Sequence, residues 1–148
     1  MATVMVCGLF FINACSSDDD GSSTSNQTVV EVVATVSAGT WRITNYVDSG
    51  NDETSDFNGF DFTFGSANVL TATNGTTTYT GTWSVTDSDS NDDSPNDDID
   101  FNIFFTAPAN FADLSDDWEV QSRTSTKIVL IDISGGNGGT DLLTFEKN

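Results

Sequence analysis

The acidic segment at residues 86–100 holds the densest set of candidate metal ligands in the chain. Ca²⁺ prefers about six to eight oxygen ligands on a flexible loop, and several side chains here follow the spacing of an EF-hand-like loop. These candidate ligands are Asp87, Asp89, Asn91, Asp93 and Asp98. The match is incomplete, because Asp92 replaces the turn glycine, Pro95 takes the ninth position and no glutamate closes the loop. A solvated, self-repelling hairpin loop is therefore the preferred interpretation, and a weak calcium site is the alternative.

Other residue types that perform catalysis are scarce. Histidine is absent, and the two cysteines, Cys7 and Cys15, both lie near the start, so the rest of the chain has no imidazole base or thiolate nucleophile. Carboxylate pairs such as Asp116 and Asp117 can serve glycosidases, but a chain with 23 acidic residues contains many such pairs by chance. No nucleophile elbow, P-loop or zinc-protease motif occurs. The sequence predicts a protein that is not an enzyme, with no catalytic residues and no cofactor apart from the alternative calcium ion.

The charge balance limits the partners. Only 4 Lys and Arg residues oppose 23 Asp and Glu residues, which gives a formal net charge of -19 at pH 7. Such a surface repels phosphate backbones, so a nucleic-acid partner is excluded. The same charge keeps the chain soluble, and we expect a monomer.

The first residues are typical of an export signal. Residues 4–12 form an apolar run that would span roughly 14 Å as a helix, whereas the hydrocarbon core of a bilayer is about 30 Å thick. The run suits the hydrophobic region of a signal peptide. It leads into the tetrapeptide INAC, which ends at Cys15 and resembles a lipobox. The resemblance implies that residues 1–14 are removed and that Cys15 is lipidated, and the alternative is a buried strand with two structural cysteines.

A serine–aspartate run directly follows the candidate lipidation site. It consists of Ser16, Ser17, Asp18, Asp19 and Asp20. The run resembles the surface-export signal of Bacteroidota-type lipoproteins, and the resemblance implies an outer-membrane lipoprotein exposed at the cell surface, with the membrane as its partner. Residues 15–27 are then the lipidated cysteine and a flexible tether. Because no Lys or Arg precedes Arg42 and signal peptides begin with a basic region, we expect translation to start upstream of Met1.

Short runs of alternating polarity, separated by Gly, Asn, Asp and Ser clusters, predict strands in the rest of the chain. The predicted strands are residues 40–48, 58–65, 67–73, 77–87, 98–106, 117–123, 126–134 and 140–147. Residues 29–37 are rich in β-branched side chains, which favour an extended chain, but their valines also lie at helical spacing. A short helix that plugs one end of a barrel is the favoured interpretation. Residues 110–115 predict a single helical turn.

Antiparallel strands in sequence order lose their exposed edges most simply by closing into an up-and-down barrel. The predicted fold is therefore an all-β, eight-stranded antiparallel barrel, and a two-sheet β-sandwich is the alternative. Gly39-Thr40-Trp41 resembles the motif that opens lipocalin barrels, and the order of GTWRITNY, GTWSV and the closing LLTFEKN resembles the lipocalin-like domains of small Bacteroidota lipoproteins. The resemblance covers residues 28–148 and implies a lipocalin-like barrel in which Lys147 covers Trp41.

Aromatic residues on the inward faces would either fill such a barrel or line a ligand cavity, since eight strands allow both. The candidate ligand-binding residues are Trp41, Phe62, Phe64, Trp83, Phe101, Phe105 and Trp118. The sequence thus leaves two non-catalytic functions open. One is a surface lipoprotein that binds a small apolar or glycan-like ligand, and the other is a structural or interaction protein of the envelope with a filled barrel.

Overall fold

The computed structural model describes residues 24–87, 99–133 and 139–148, with side chains from residue 29 onward. The helices in these ranges are α1 (Thr24–Val36) and α2 (Ala109–Ala112). The strands are β1 (Trp41–Asp48), β2 (Asn51–Asp52), β3 (Asp61–Phe64), β4 (Val69–Thr73), β5 (Thr78–Asp87), β6 (Ile99–Phe104), β7 (Asp116–Arg123), β8 (Lys127–Ile133) and β9 (Thr140–Lys147). All eight predicted strands are present, and β2 is an additional strand of two residues.

The sheet closes on itself into a barrel. Its strands follow the order β2-β1-β3-β4-β5-β6-β7-β8-β9, and β1 also pairs with β9. This closing pair is antiparallel and runs from Trp41 opposite Lys147 to Val47 opposite Leu142. The predicted eight-stranded antiparallel barrel is therefore confirmed, and the two-sheet sandwich is wrong because one continuous sheet encloses the core.

Helix α1 resolves the ambiguity of residues 29–37 in favour of the helix. Val32 and Val36 are buried, because their spacing of four residues places both on one face, and α1 packs against β5 and β6. The indole Nε1 of Trp41 donates a hydrogen bond to the carbonyl oxygen of Val36 at 2.8 Å. The helix thus covers one end of the barrel, as the spacing of its valines predicted.

The two ends of the barrel carry different elements, and only one of them carries helix α1. At the helix end, β1 and β8 begin and β7 and β9 end, and α1 lies across it. At the opposite end lie the turn between β1 and β2, a 3-10 turn at Thr54–Phe57 and α2. Between the ends, alternate side chains of each strand point inward, as the burial of Ile99, Phe101 and Ile103 in β6 shows.

Candidate functional site

The lipidation and export residues predicted from the sequence lie outside the described ranges. These are Cys15, Ser16, Ser17, Asp18, Asp19 and Asp20. Among the helices that the structure describes, none is both long enough and apolar enough to cross a membrane. The lipid anchor therefore stays a prediction from the N-terminal sequence.

The predicted calcium ligands fall mostly outside the described residues as well. Asp89, Asn91, Asp93 and Asp98 are not described, whereas Asp87 is the last residue of β5 and pairs with Ile99 across the sheet. Within the described ranges, no group of three or more His, Cys, Asp or Glu side chains is placed to hold a metal ion. Both interpretations of the acidic segment remain predictions.

The candidate ligand-binding residues all lie in the core of the barrel. Relative exposure does not exceed 6% for any of Trp41, Phe62, Phe64, Trp83, Phe101, Phe105 and Trp118. Phe64 lies at their centre, because its ring centroid is 5.4 Å from those of Trp83, Phe101 and Phe145, each in an edge-to-face arrangement. Such contacts stabilise aromatic clusters beyond the burial of area alone. The structure therefore places all seven residues in one core cluster, in which Phe64, Trp83 and Phe101 contact one another.

Phe111 of α2 extends this cluster to the opposite end of the barrel, and the sequence did not single it out. Its ring contacts those of Phe57, Phe60, Phe62, Tyr79 and Phe105, with centroid distances between 4.7 and 6.0 Å. Ser115 holds the turn that carries Phe111 next to the end of β6, because its hydroxyl accepts a hydrogen bond from the backbone N–H of Phe105 and donates one to the carbonyl of the same residue. Period-two alternation cannot reveal a side chain that reaches the core from a loop.

Trp41 and Lys147 form the contact that the resemblance implied. The ammonium Nζ of Lys147 lies 5.4 Å from the centre of the Trp41 ring, within the range of a cation–π interaction. Gly39 has φ of +96°, and a Cβ there would lie 3.1 Å from Cε of Lys147. A glycine at this position therefore leaves room for the lysine stem to cross the indole.

Two adjoining surface clefts lie beside the loop between β3 and β4. The larger has a volume of about 270 Å³ and runs between α1, that loop and β5. The smaller, of about 180 Å³, continues toward β6 and is also lined by Phe104. The residues common to both clefts are Asn68, Trp83 and Ser84. Trp83 is the one candidate ligand-binding residue that lines either cleft.

The loop beside these clefts has a strained backbone that two side chains hold in place. Ala67 and Asn68 have φ of 56° and 61°, in the left-handed region that non-glycine residues seldom adopt. The amide Nδ2 of Asn68 donates to the carbonyl of Trp83 at 2.8 Å, and Nε1 of Trp83 donates to the carbonyl of Gly65 at 3.0 Å. Asn68 is of a residue type that adopts this region more often than most, but Ala67 gives no such signal in the sequence.

Charge is distributed unequally between the two ends of the barrel. All four cationic side chains of the chain lie at the helix end: Arg42, Arg123, Lys127 and Lys147. The acidic side chains described at the opposite end are Asp48, Asp52, Glu53, Asp56, Asp113, Asp116, Asp117, Asp132 and Asp141. Burial, with further repulsion from Asp132 and Asp117, raises the pKa of Asp116 to about 6, although a backbone hydrogen bond from Asp117 opposes the rise.

Comparison with known proteins adds no relative. The sequence matches no protein-family model and no curated protein, and the barrel matches no solved structure.

Proposed function

We propose that this chain is a non-catalytic lipoprotein of the cell envelope, anchored in the outer membrane through Cys15 and exposed at the cell surface, whose barrel is a filled scaffold. The observation that carries the proposal is the packing of the inward-facing aromatic side chains on one another. A ligand in the interior would have to separate the rings around Phe64, which lie at contact distance on three sides. Interaction with other molecules is then assigned to the outside of the barrel.

The N-terminal sequence supports the anchor. The apolar run at residues 4–12 is followed by INAC and the serine–aspartate run, and these occur in the order that export, lipidation and surface display require. The described helix α1 begins at Thr24, so only a short segment separates Cys15 from the fold. Such an arrangement keeps the barrel close to the membrane that holds its acyl chains, of which more than one is needed for stable attachment.

The anchor is tested by Cys15→Ser in the complete gene product. We expect this variant to lose acylation and to move from the membrane fraction to the soluble fraction, because serine provides no thiol for the acyl chains. Cys7→Ser is the matched control, since it changes the other cysteine within the apolar run and should leave fractionation unchanged. Membrane association of Cys15→Ser would show that the anchor is assigned wrongly.

Surface display is tested separately by changing Asp18, Asp19 and Asp20 to Ala. The lipid anchor does not involve these side chains, so the variant should stay in the membrane fraction. It should however become resistant to protease added to intact cells, because the export signal is removed. Protease digestion equal to that of the natural chain would contradict the assignment of this run.

The filled interior is tested with an apolar fluorescent probe that brightens on transfer from water. We expect no saturable binding to the native protein and strong binding in the acid-expanded state, in which loosened packing exposes the core. Saturable binding to the native protein, with quenching of tryptophan fluorescence, would favour a ligand cavity among the seven candidate residues instead.

A further inference from the structure

One stretch of this acidic chain is free of charge. Between Asp61 and Asp87 no Asp, Glu, Lys or Arg occurs, although the whole chain has 27 charged residues, 4 basic and 23 acidic, among 148. This stretch forms most of β3 and the whole of β4, and it forms β5 up to its last residue. Threonine and serine hydroxyls take the outward positions that carboxylates occupy elsewhere. The contrast marks the outer surface of these strands as chemically different from the rest of the barrel.

The outward side chains of these strands, together with one from β6, form what is called here the neutral face. It consists of Val69, Thr71, Thr80, Thr82, Ser84 and Phe104. The strand register places Val69 opposite Thr82 and Thr82 opposite Phe104, so these three side chains form one row across three strands. Phe104 is 55% exposed and Val69 is 38% exposed. The row therefore presents an aromatic ring and a methyl-rich side chain to solvent on either side of a hydroxyl.

The neutral face adjoins the outer clefts. Thr82, Ser84 and Phe104 line the smaller cleft, and Asn68 at its edge also borders the larger one. The left-handed conformation of Ala67 and Asn68 costs backbone free energy, and such strain is concentrated at functional sites. The strained loop thus forms a wall of the clefts at the point where the exposed row ends.

From these features we propose that the neutral face and its clefts bind an uncharged saccharide. A sugar ring has hydroxyl groups on its edge and an apolar C–H surface on its face, which match the hydroxyls of Thr82 and Ser84 and the ring of Phe104. A net charge of -19 disfavours anionic ligands. Cations would be drawn to the carboxylates elsewhere, so a neutral ligand fits a face whose side chains carry no charge.

The size of the clefts limits the length of the bound segment. Their volumes of about 270 and 180 Å³ lie below the roughly 300–1,000 Å³ of pockets for drug-sized molecules. They suit one or two sugar units, with the rest of a chain extending over the open strands. This inference rests on the proposed function, because a filled barrel leaves the outside as the binding surface.

The test is an NMR titration of the full-length chain carrying Cys15→Ser with a panel of neutral hexose and N-acetylhexosamine oligosaccharides. Concentrations up to about 10 mM cover the millimolar Kd range of weak binders. We expect at least one oligosaccharide to shift the amide signals of Thr82, Ser84 and Phe104 saturably. Absence of saturable shifts with every member of the panel would overturn the inference.

Two variants and a control locate the site. Phe104→Ala should weaken binding about tenfold, as expected for an aromatic side chain at the centre of a site, and Thr82→Val should weaken it less, since it removes one hydroxyl and keeps the shape. Ile133→Ala is the control, because Ile133 is 65% exposed and lies on β8. Equal affinity of Phe104→Ala and Ile133→Ala would overturn the inference.

The outcomes also separate this inference from the proposed function. Saccharide-induced shifts confined to core residues such as Phe62 and Phe64 would contradict both the neutral face as the site and the filled barrel. If no oligosaccharide of the panel binds and the fluorescent probe is still excluded from the native core, the saccharide inference alone is contradicted.

Discussion

The two ends of the barrel are closed by different means. At the helix end, Trp41 is completely buried, its indole nitrogen bonds the carbonyl of Val36 in α1, and Lys147 covers its ring. At the opposite end, Phe111 on a short helical turn packs among aromatic rings, surrounded by carboxylates. The first closure combines burial, a hydrogen bond and a cation, whereas the second combines ring packing with the hydrogen bonds of Ser115 to Phe105 and places no cation over its rings. We therefore expect the helix end to be the more stable of the two.

Trp41→Ala is the most severe test of the closure at the helix end. The substitution leaves a large cavity, removes the hydrogen bond to Val36 and takes away the surface that Lys147 covers. We expect the free energy of unfolding to fall by about 3–5 kcal/mol, as for other large aromatic truncations in cores. Denaturant unfolding measures the change, and a loss below about 1 kcal/mol would show that the indole does not seal the helix end.

Phe111→Ala makes the corresponding change at the opposite end. Phe111 is 1% exposed, but α2 has only four residues, so its turn can move inward and fill part of the cavity. We expect a loss near the lower limit for such truncations, about 3 kcal/mol. Hydrogen exchange should also quicken mainly in α2 and the start of β7. A loss larger than that of Trp41→Ala, measured in the same denaturant series, would reverse the comparison.

Both closures show what the sequence could and could not predict. The sequence motif at the start of the first strand predicted the position of Trp41. The spacing of the valines predicted the helix, and it outweighed the β-branched propensity because Val32 and Val36 are both buried. The third predicted element, residues 58–65, is a strand only at Asp61–Phe64. A 3-10 turn at Thr54–Phe57 precedes it and turns Phe57 into the core. A period-two alternation of polar and apolar residues indicates strands and cannot indicate such a turn.

The outer clefts were harder to predict than the core. Period-two alternation already indicates that Phe104 faces outward when Phe101, Ile103 and Phe105 face inward, and Phe104 is indeed exposed. The uncharged stretch between Asp61 and Asp87 was also visible in the sequence. The left-handed conformation of Ala67 and Asn68 was not, because it arises from tertiary hydrogen bonds to Trp83 and Gly65.

The charge of the opposite end is tested through Asp116. The folded protein holds the pKa of Asp116 at about 6, above its ordinary value of 3.8, so the folded state binds this proton more tightly than the unfolded state. Ionisation of Asp116 therefore destabilises the fold, and the penalty grows as the pH rises from about 4 to about 6. Asp116→Asn should stabilise the protein above pH 6 and have no effect below pH 4.

The size of this effect is modest. Asp116 is half-buried, and solvent screening limits the gain to on the order of 1 kcal/mol. Glu119→Gln is the control, since it neutralises an exposed carboxylate on the same strand and should give little change at any pH. Melting temperatures of the two variants between pH 4 and pH 8 provide the measurement. A pH-independent gain for Asp116→Asn would show that burial of its charge is not the cause.

The smallest expected effect separates the cation at the helix end from the indole beneath it. Lys147→Met keeps an unbranched apolar stem over Trp41 and removes only the ammonium group, which lies 5.4 Å from the ring centre. A cation–π contact at a partly exposed position contributes about 0.5–1 kcal/mol, so we expect a loss of that size that added salt reduces. Lys127→Met is the matched control, because Lys127 lies at the same end and pairs with Glu146 at 3.3 Å without covering an aromatic ring. If both variants lower the free energy of unfolding by the same amount, the ammonium group of Lys147 contributes only as a surface charge and not through its contact with the ring. The stability of the helix end then comes from the burial and the hydrogen bond of Trp41.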